Sequence, residues 1–143
     1  MPLIVVCFVE DKKMKSVAKL IAELQIIFNL YIRTRDAGLP CISCDDPYFS
    51  DCGHLFKKSI RPAMRFNPMA AHGQCRTCNS HPDGNYENFC LGIAKRYGKE
   101  YLETVIQTAN NSRKVSEKWD RSDLEAQIIY YKGKIKMLKR FDN

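Results

Sequence analysis

The chain of 143 residues has the length of one typical domain. Lys and Arg outnumber Asp and Glu by 23 to 16, which gives a formal charge of +7 and a pI near 9.1. Such a basic balance suits a polyanionic partner such as nucleic acid. The longest apolar run, residues 3–9, is far too short to cross a bilayer, so the composition excludes a membrane-spanning class and predicts no membrane partner.

The cysteines predict a metal site in a reducing compartment. There are seven of them, an odd number, and four form two CxxC pairs. That pattern favours metal binding over a disulfide framework. We therefore expect a cytoplasmic protein.

The N-terminal segment, residues 1–40, is predicted to contain a strand over residues 3–9 and then a helix. Apolar residues recur at three- and four-residue steps over residues 13–37, as one face of a helix requires. These residues are Val17, Leu20, Ile21, Leu24, Ile27, Phe28 and Tyr31. Gly38 and Pro40 end the helix and lead the chain to Cys41.

Two cysteine pairs open the central segment, residues 41–98, and predict a zinc site. Cys41 and Cys44 are separated by 30 residues from Cys75 and Cys78. Two CxxC turns complete a tetrahedral site with no open position, which indicates a structural role. The alternative is that one pair is redox-active or simply buried. The irregular segment between the pairs needs an outside constraint to stay folded, and this favours zinc.

Three polar residues near the pairs carry the chemistry of a phosphodiesterase. His54 is the candidate general base, because imidazole titrates near neutral pH. Asn79 and Asp51 offer the oxygen ligands that Mg²⁺ or Mn²⁺ prefers. A lone loop histidine is more often a surface or hydrogen-bonded residue, so His54 depends on this context.

A basic stretch lies between the two cysteine pairs. Residues 55–66 hold no acid and supply four candidate DNA-binding cations, and the second cysteine pair supplies a fifth. They are Lys57, Lys58, Arg61, Arg65 and Arg76.

Helical periodicity returns after the second pair. A helix is expected from Tyr86 to Tyr97 with Gly98 as its cap, then a short helix, a polar linker over residues 110–121, and a last helix. Ser122 and Glu125 have capping-box spacing at the start of that helix. Its apolar seam either packs on the first helix of the same chain or joins two chains as a homodimer. The seam residues are Leu124, Ile128, Tyr131, Ile135 and Leu138.

Taken together, the central motifs resemble a known family. The motifs are the two CxxC pairs, Gly53-His54, Arg65-Phe66-Asn67, Gln74 before Cys75, Asn79 after Cys78, and Gly84-Asn85. This string resembles the NinG/Rap recombination nucleases of lambdoid phages, which belong with the HNH (His-Me finger) endonucleases and are similar to phage endonuclease VII. The resemblance implies a β-hairpin bearing the base, a following helix bearing the metal-binding Asn, and cleavage of branched DNA such as Holliday junctions or D-loops.

By position, the resemblance makes His54 the base and Asn79 the metal ligand. Many HNH enzymes carry an acidic ligand immediately before the base, where this chain has Gly53, and Asp51 is the nearest carboxylate. The usual middle Asn would fall near residues 70–71, so Asn67 or the backbone must take its place. His72, His81 and Asp83 are further candidates, with Asp83 expected on the helical face of Asn79.

The predicted fold class is α+β and mostly helical: a zinc-stapled treble-clef or ββα-metal core over residues 41–98, between helical segments 1–40 and 99–143. The predicted function is a Mg-dependent endonuclease for branched DNA. The alternative is a non-catalytic zinc-knuckle module that binds nucleic acid, and a sequence-specific restriction or homing nuclease is a third possibility. His54 with Asn79 separates the first reading from the second, because a binding module needs neither.

Overall fold

The computed structural model describes residues 13–112 and 119–141. The strand predicted at residues 3–9, Cys7, and residues 113–118 of the predicted linker lie outside the described residues. The elements, in chain order, are α1 (Val17–Arg35), β1 (Asp51–His54), β2 (Ala71–Gln74), α2 (Arg76–Asn79), α3 (Tyr86–Tyr97), α4 (Lys99–Asn111) and α5 (Arg121–Phe141). The prediction of a mostly helical α+β chain is therefore confirmed.

Helix α1 is slightly shorter at both ends than its apolar pattern predicts. Ser16 caps it, because the Ser16 hydroxyl accepts a hydrogen bond from the Lys19 N–H at 3.2 Å. It ends before Asp36, and Gly38 follows with a φ of +86°. One face is fully buried, and its residues are Leu20, Leu24, Phe28 and Ile32.

The apolar seam of α5 packs on α1 of the same chain. Leu124 and Ile128 join the same apolar cluster as Phe28, and the Tyr131 hydroxyl donates to the Phe66 carbonyl at 3.3 Å. The seam is thus occupied within the chain, which is one of the two arrangements that the sequence left open.

The predicted capping box at the start of α5 is wrong. Asp120 takes that role, since its carboxylate accepts from the Ser122 N–H at 3.0 Å and its carbonyl accepts from the Leu124 N–H at 3.0 Å. Ser122 therefore lies inside the helix. The polar run that precedes α5 offered several capping side chains, and spacing alone did not select between them.

An antiparallel hairpin of β1 and β2 forms the only sheet in the described part of the chain. Its register pairs Asp51 with Gln74 and His54 with Ala71. A long connection with two short 3₁₀ turns, Pro62–Met64 and Pro68–Ala70, links the strands. Asn67 shapes the entry to β2, because its side-chain oxygen accepts from the Met69 N–H at 3.0 Å.

Helices α3 and α4 form a second apolar layer behind the hairpin. Phe89 and Ile93 pack with Val105 in a cluster that also includes Ile42 from the first cysteine turn. The approach at Gly92 is close: a Cβ there would lie 1.7 Å from the Ile42 carbonyl oxygen. Only glycine lets α3 press directly against the cysteine turn. Gly98 closes α3 with a φ of +100°, as expected.

The two apolar clusters each join residues across the segment boundaries drawn from the sequence. The first unites α1, Cys52, Phe66 and α5, and the second unites Ile42 with α3 and α4. Within the described ranges, 13–112 and 119–141, no helix combines the length and apolar character that a bilayer crossing needs.

Candidate metal centre and adjacent cleft

The two CxxC pairs bring four sulfur atoms together. The sulfurs of Cys41, Cys44, Cys75 and Cys78 all lie within 4.8 Å of one another, and those of Cys44 and Cys75 are 3.8 Å apart. Four thiolates at this spacing are the ligand set of a closed tetrahedral site for a soft metal. The four cysteines can therefore hold a metal ion such as zinc.

Hydrogen-bond donors point at the sulfur atoms of Cys41 and Cys78. The Cys75 N–H donates to Cys41 Sγ at 3.3 Å, and the Asn85 amide donates to Cys78 Sγ at 3.3 Å. Burial raises the pKa of the Cys41 thiol, but donation from the backbone of Cys75, Ser43 and Cys44 more than offsets this and lowers its pKa overall. Donors of this kind stabilise the thiolate form that binds metal.

A buried glutamine ties the metal centre to the hairpin. The Gln74 amide nitrogen donates to Ser43 Oγ and to the Gly84 carbonyl, both at 2.9 Å. Its side chain fills the space beside Gly53, where a Cβ would lie 2.2 Å from Gln74 Oε1. A side chain at position 53 would therefore clash with Gln74, which agrees with the glycine found immediately before His54.

His54 lies at the end of β1 on the wall of a cleft of about 550 Å³. Its Nε2 atom is buried and has no hydrogen-bond partner among the described residues. Burial, and to a lesser extent the positive charge of Lys58, lower the pKa of His54 to about 4. The imidazole is thus neutral at physiological pH, and in the tautomer with its proton on Nδ1 the Nε2 atom can accept a proton.

Cys52 shares this face of β1 and also lines the cleft. Burial raises the pKa of its thiol to about 12, so it stays protonated and acts as an apolar wall. The sequence did not assign a role to Cys52. Because alternate residues of a strand share a face, Cys52 lies on the same side of β1 as His54.

Asn79, the last residue of α2, lines the same cleft. Its amide nitrogen donates to Asp51 Oδ2 at 3.0 Å, which leaves the Asn79 amide oxygen directed away from that carboxylate. The structure therefore brings His54 and Asn79 to one cleft, as the sequence predicts.

Asp51 stands apart from that cleft. Successive strand residues face opposite sides, so Asp51 and His54, three residues apart, lie on opposite faces of β1. Arg76 also donates to Asp51, from Nε at 3.2 Å and from Nη2 at 3.0 Å. Partial burial raises the pKa of Asp51, but donation from Asn79, Ser50 and Arg76 leaves it lowered overall. The carboxylate is thus engaged in orienting Asn79.

The five candidate cations lie at four different places in the structure. Lys57 and Lys58 line the cleft, and Arg61 lines a neighbouring pocket. Arg65 turns toward α1, where Nε donates to Gln25 at 2.7 Å and the guanidinium stacks over Phe66 at 5.3 Å. Arg76 is largely exposed beside Asp51.

Of the further candidates, His72 is locked in the core. Its Nδ1 lies 3.1 Å from Arg35 Nη2, and its Nε2 lies 3.0 Å from the Met69 carbonyl. The arginine can only donate and the carbonyl can only accept, so this neutral imidazole is fully used in positioning β2. His81 and Asp83 do line the cleft, but α2 ends at Asn79, so the expectation of Asp83 on its helical face is wrong.

No sequence pattern signals the buried Arg35–Asp36 pair that anchors His72. Asp36 accepts from Arg35 Nε at 2.6 Å and from the Gly73 N–H at 2.8 Å. Burial would raise the pKa of this carboxyl, but hydrogen bonds from Arg35 and from the Gly73 N–H, together with the positive charge of Arg35, hold it far below its usual range. Gln74 and Asn85 were also missed as supports of the metal centre, although the Gln before Cys75 and the Gly-Asn motif stood out in the sequence.

Fold and site together define a mostly helical α+β protein in which a four-cysteine centre, able to hold a metal such as zinc, adjoins a cleft lined by two lysines. Within that class the chain belongs to the NinG family: the family described as "Bacteriophage Lambda NinG protein" matches residues 9–142.

Curated relatives agree with this assignment. The chain is 32% identical over 121 residues to "Protein ninG" of Escherichia phage lambda, covering 83% of this chain and 57% of that protein. It is 31% identical to "Protein ninG" of Escherichia phage 933W and 30% identical to that of Salmonella phage P22, each over 83% of this chain and 58% and 57% of those proteins. The chain thus spans little more than half the length of these relatives. No solved structure is significantly similar to it.

The predicted resemblance to phage NinG proteins is confirmed. The names of the relatives state no activity, so the nuclease assignment, the HNH relationship and the likeness to endonuclease VII stay predictions.

Proposed function

We propose that this protein is a Mg²⁺- or Mn²⁺-dependent DNA endonuclease. The observation that carries the proposal is that His54, whose buried Nε2 atom has no partner among the described residues, lines one cleft together with Asn79 and two lysines. Burying a polar atom without a hydrogen bond costs stability, and such atoms are frequent where a substrate supplies the missing partner.

His54 is the general base in this proposal. Because its lowered pKa keeps the imidazole neutral, Nε2 can take a proton from a water molecule that attacks a phosphodiester. The surrounding Phe28 ring, 5.9 Å from the imidazole, restricts its orientation. At physiological pH the histidine therefore presents an unprotonated ring nitrogen in a restricted orientation.

Asn79 holds the divalent ion. Its amide oxygen is a suitable ligand for a hard cation, and Asp51 orients the amide by accepting from its nitrogen. When bound, the ion supplies Lewis-acid stabilisation of charge on the phosphate and on the leaving oxygen. Asp51 is thus proposed as a positioning residue for Asn79, with water and DNA phosphate as the remaining ligands of the metal.

Lys57 and Lys58 attract the DNA backbone into the cleft. They lie on the wall beside His54, and no acidic residue occurs over residues 55–66. Cations at this place neutralise phosphates without reading sequence. The product is expected to carry a 5′-phosphate, as the HNH resemblance implies.

The four cysteines hold a structural zinc in a treble-clef arrangement, in which the first pair, the hairpin and the start of α2 share one ion. Preference for Holliday junctions or D-loops is proposed from the family resemblance. A homodimer suited to paired nicks would have to use a surface other than the α5 seam, since that seam is buried against α1.

The experiment compares two histidines of the same cleft. His54→Ala should lower cleavage of a synthetic four-way junction by roughly 10²- to 10⁴-fold with Mg²⁺ present, the usual worth of a positioned acid–base group. Zinc content and DNA affinity should be unchanged. His81→Ala is the matched control, because His81 lines the cleft but is exposed and has no assigned role.

A folded, zinc-replete His54→Ala protein that cuts at the wild-type rate would refute the assigned base. If the wild type cuts neither branched nor linear DNA with Mg²⁺ or Mn²⁺ but still binds it, the chain is a zinc-knuckle binding module instead.

A further inference from the structure

A second concavity, here called the side pocket, adjoins the candidate cleft. It encloses about 340 Å³, and its walls include Leu55, Phe56, Lys57, Arg61, Asp83 and Tyr86. Leu55, Phe56, Lys57 and Asp83 line the cleft as well, so the two concavities share a wall. Whatever occupies the side pocket therefore lies beside whatever is held by His54 and Asn79.

The side pocket exposes an unusual amount of apolar and aromatic surface. The rings of Phe56 and Tyr86 are 6.3 Å apart, and Tyr86 is 38% exposed. Ile60, on the opposite wall, is 60% exposed. Aromatic faces beside a phosphate-binding groove offer stacking surfaces to bases, because every base has a π-face.

Polar groups in the side pocket match the edge of a base. The Arg61 Nε–H group is buried and has no hydrogen-bond partner among the described residues, although Arg61 Nη1 donates to the Ile60 carbonyl. Asp83 contributes a carboxylate acceptor at the rim shared with the cleft. A donor and an acceptor close to two rings give hydrogen bonding and stacking in one space.

We propose that the side pocket binds one unstacked nucleotide of the DNA strand whose phosphate lies in the cleft. This inference rests on the proposed function and deepens it, since it assigns the preference for branched DNA to particular residues. A base in an intact duplex must lose its stacking and pairing to enter, whereas an unpaired nucleotide at a branch or bulge has already lost them. The adjacent Lys57 and the net charge of +7 favour a nucleotide over an apolar peptide as the occupant.

The test measures binding without divalent ions, so that cleavage does not enter. Two fluorescein-labelled DNAs are compared by anisotropy: a perfect duplex, and the same duplex with a single extra 2-aminopurine nucleotide in one strand. The wild type should prefer the bulged DNA by about 5- to 150-fold, the affinity equivalent of one stacked base. Its binding should also quench the 2-aminopurine fluorescence.

Substitutions then locate the effect. Tyr86→Ala should abolish most of the preference and of the quenching, while Tyr86→Phe, which keeps the ring, should retain both. Arg61→Met should weaken binding of the bulged DNA more than binding of the duplex. Tyr48→Ala is the matched control, because Tyr48 is 82% exposed and lines a different surface pocket.

Failure is informative in two distinguishable ways. If Tyr86→Ala binds both DNAs with the wild-type preference, the side pocket is not the nucleotide site, while junction cleavage and the role of His54 stand. If the wild type binds neither DNA, the side pocket and the proposed function are overturned together.

Discussion

Replacing His54 tests the electrostatic description of the cleft without any assumption about cleavage. The pKa of its imidazole falls from 6.5 to about 4 in the folded protein, mainly through burial. A folded-state pKa below the unfolded one means that the unfolded chain binds the proton more readily. The stability contribution of the neutral imidazole is therefore complete above pH 6.5 and is lost as the pH falls toward 4.

The size of the effect follows from the same shift. Between pH 6.5 and pH 5 the unfolded chain holds nearly one proton more than the folded protein, and each pH unit then costs about 1.4 kcal/mol. The free energy of unfolding should thus drop by about 2 kcal/mol between pH 7 and pH 5 on account of His54 alone.

Urea unfolding at both pH values measures this drop in the wild type and in His54→Asn. Other groups that titrate in this range contribute equally to both proteins, so the difference isolates His54. The wild type should lose about 2 kcal/mol more than the variant, and the exposed His81, changed to Asn, is the control. Equal losses in wild type and His54→Asn would refute the buried, neutral description of this residue.

Three further changes test other parts of the structure. Cys78→Ser, or removal of zinc with a chelator, should unfold the central segment and not merely lower the rate of DNA cleavage. Circular dichroism will detect this loss of structure. Gly53→Ala should destabilise the fold by about 1–3 kcal/mol, because its Cβ would clash with the buried glutamine beside it, and thermal melting measures the loss. Lys57→Ala and Lys58→Ala should each reduce the salt dependence of DNA binding by roughly one unit, whereas Arg65→Ala should leave that slope unchanged and lower stability instead.

The local features of this chain could be predicted from its sequence. The two CxxC pairs converge because each forms its own turn, and α3 has the predicted bounds because Gly98 closes it. For the cysteine turns and α3, a short stretch of residues contains all the information that is needed. His54 and Asn79 were brought together in the sequence analysis by the family resemblance, and the folded chain places both on the wall of one cleft.

Features made by distant residues could not be predicted. The pair Arg35–Asp36 reads as the polar end of a helix, and only the folded chain shows that it holds His72 and the backbone of Gly73. Arg65 reads as one more cation of a basic stretch, yet its partner Gln25 lies 40 positions away in α1. Among the candidate histidines and cations, the direction of the side chain decides which residues support the fold and which line the cleft. Residue type alone does not distinguish them.

The packing of α1 on α5 also has a consequence for the order of folding. Helix α1 ends at Arg35 and α5 begins at Arg121, so the whole central region is synthesised before the apolar face of α1 can be covered. The cysteine pairs are closer in sequence, and capture of a metal can order residues 41–78 while α5 is still on the ribosome. Until α5 has been synthesised, Phe28 and its neighbours on α1 form an exposed apolar surface that is prone to aggregation. The yield of native protein would then depend on chaperones and on the metal supply more than on the stability of the finished fold.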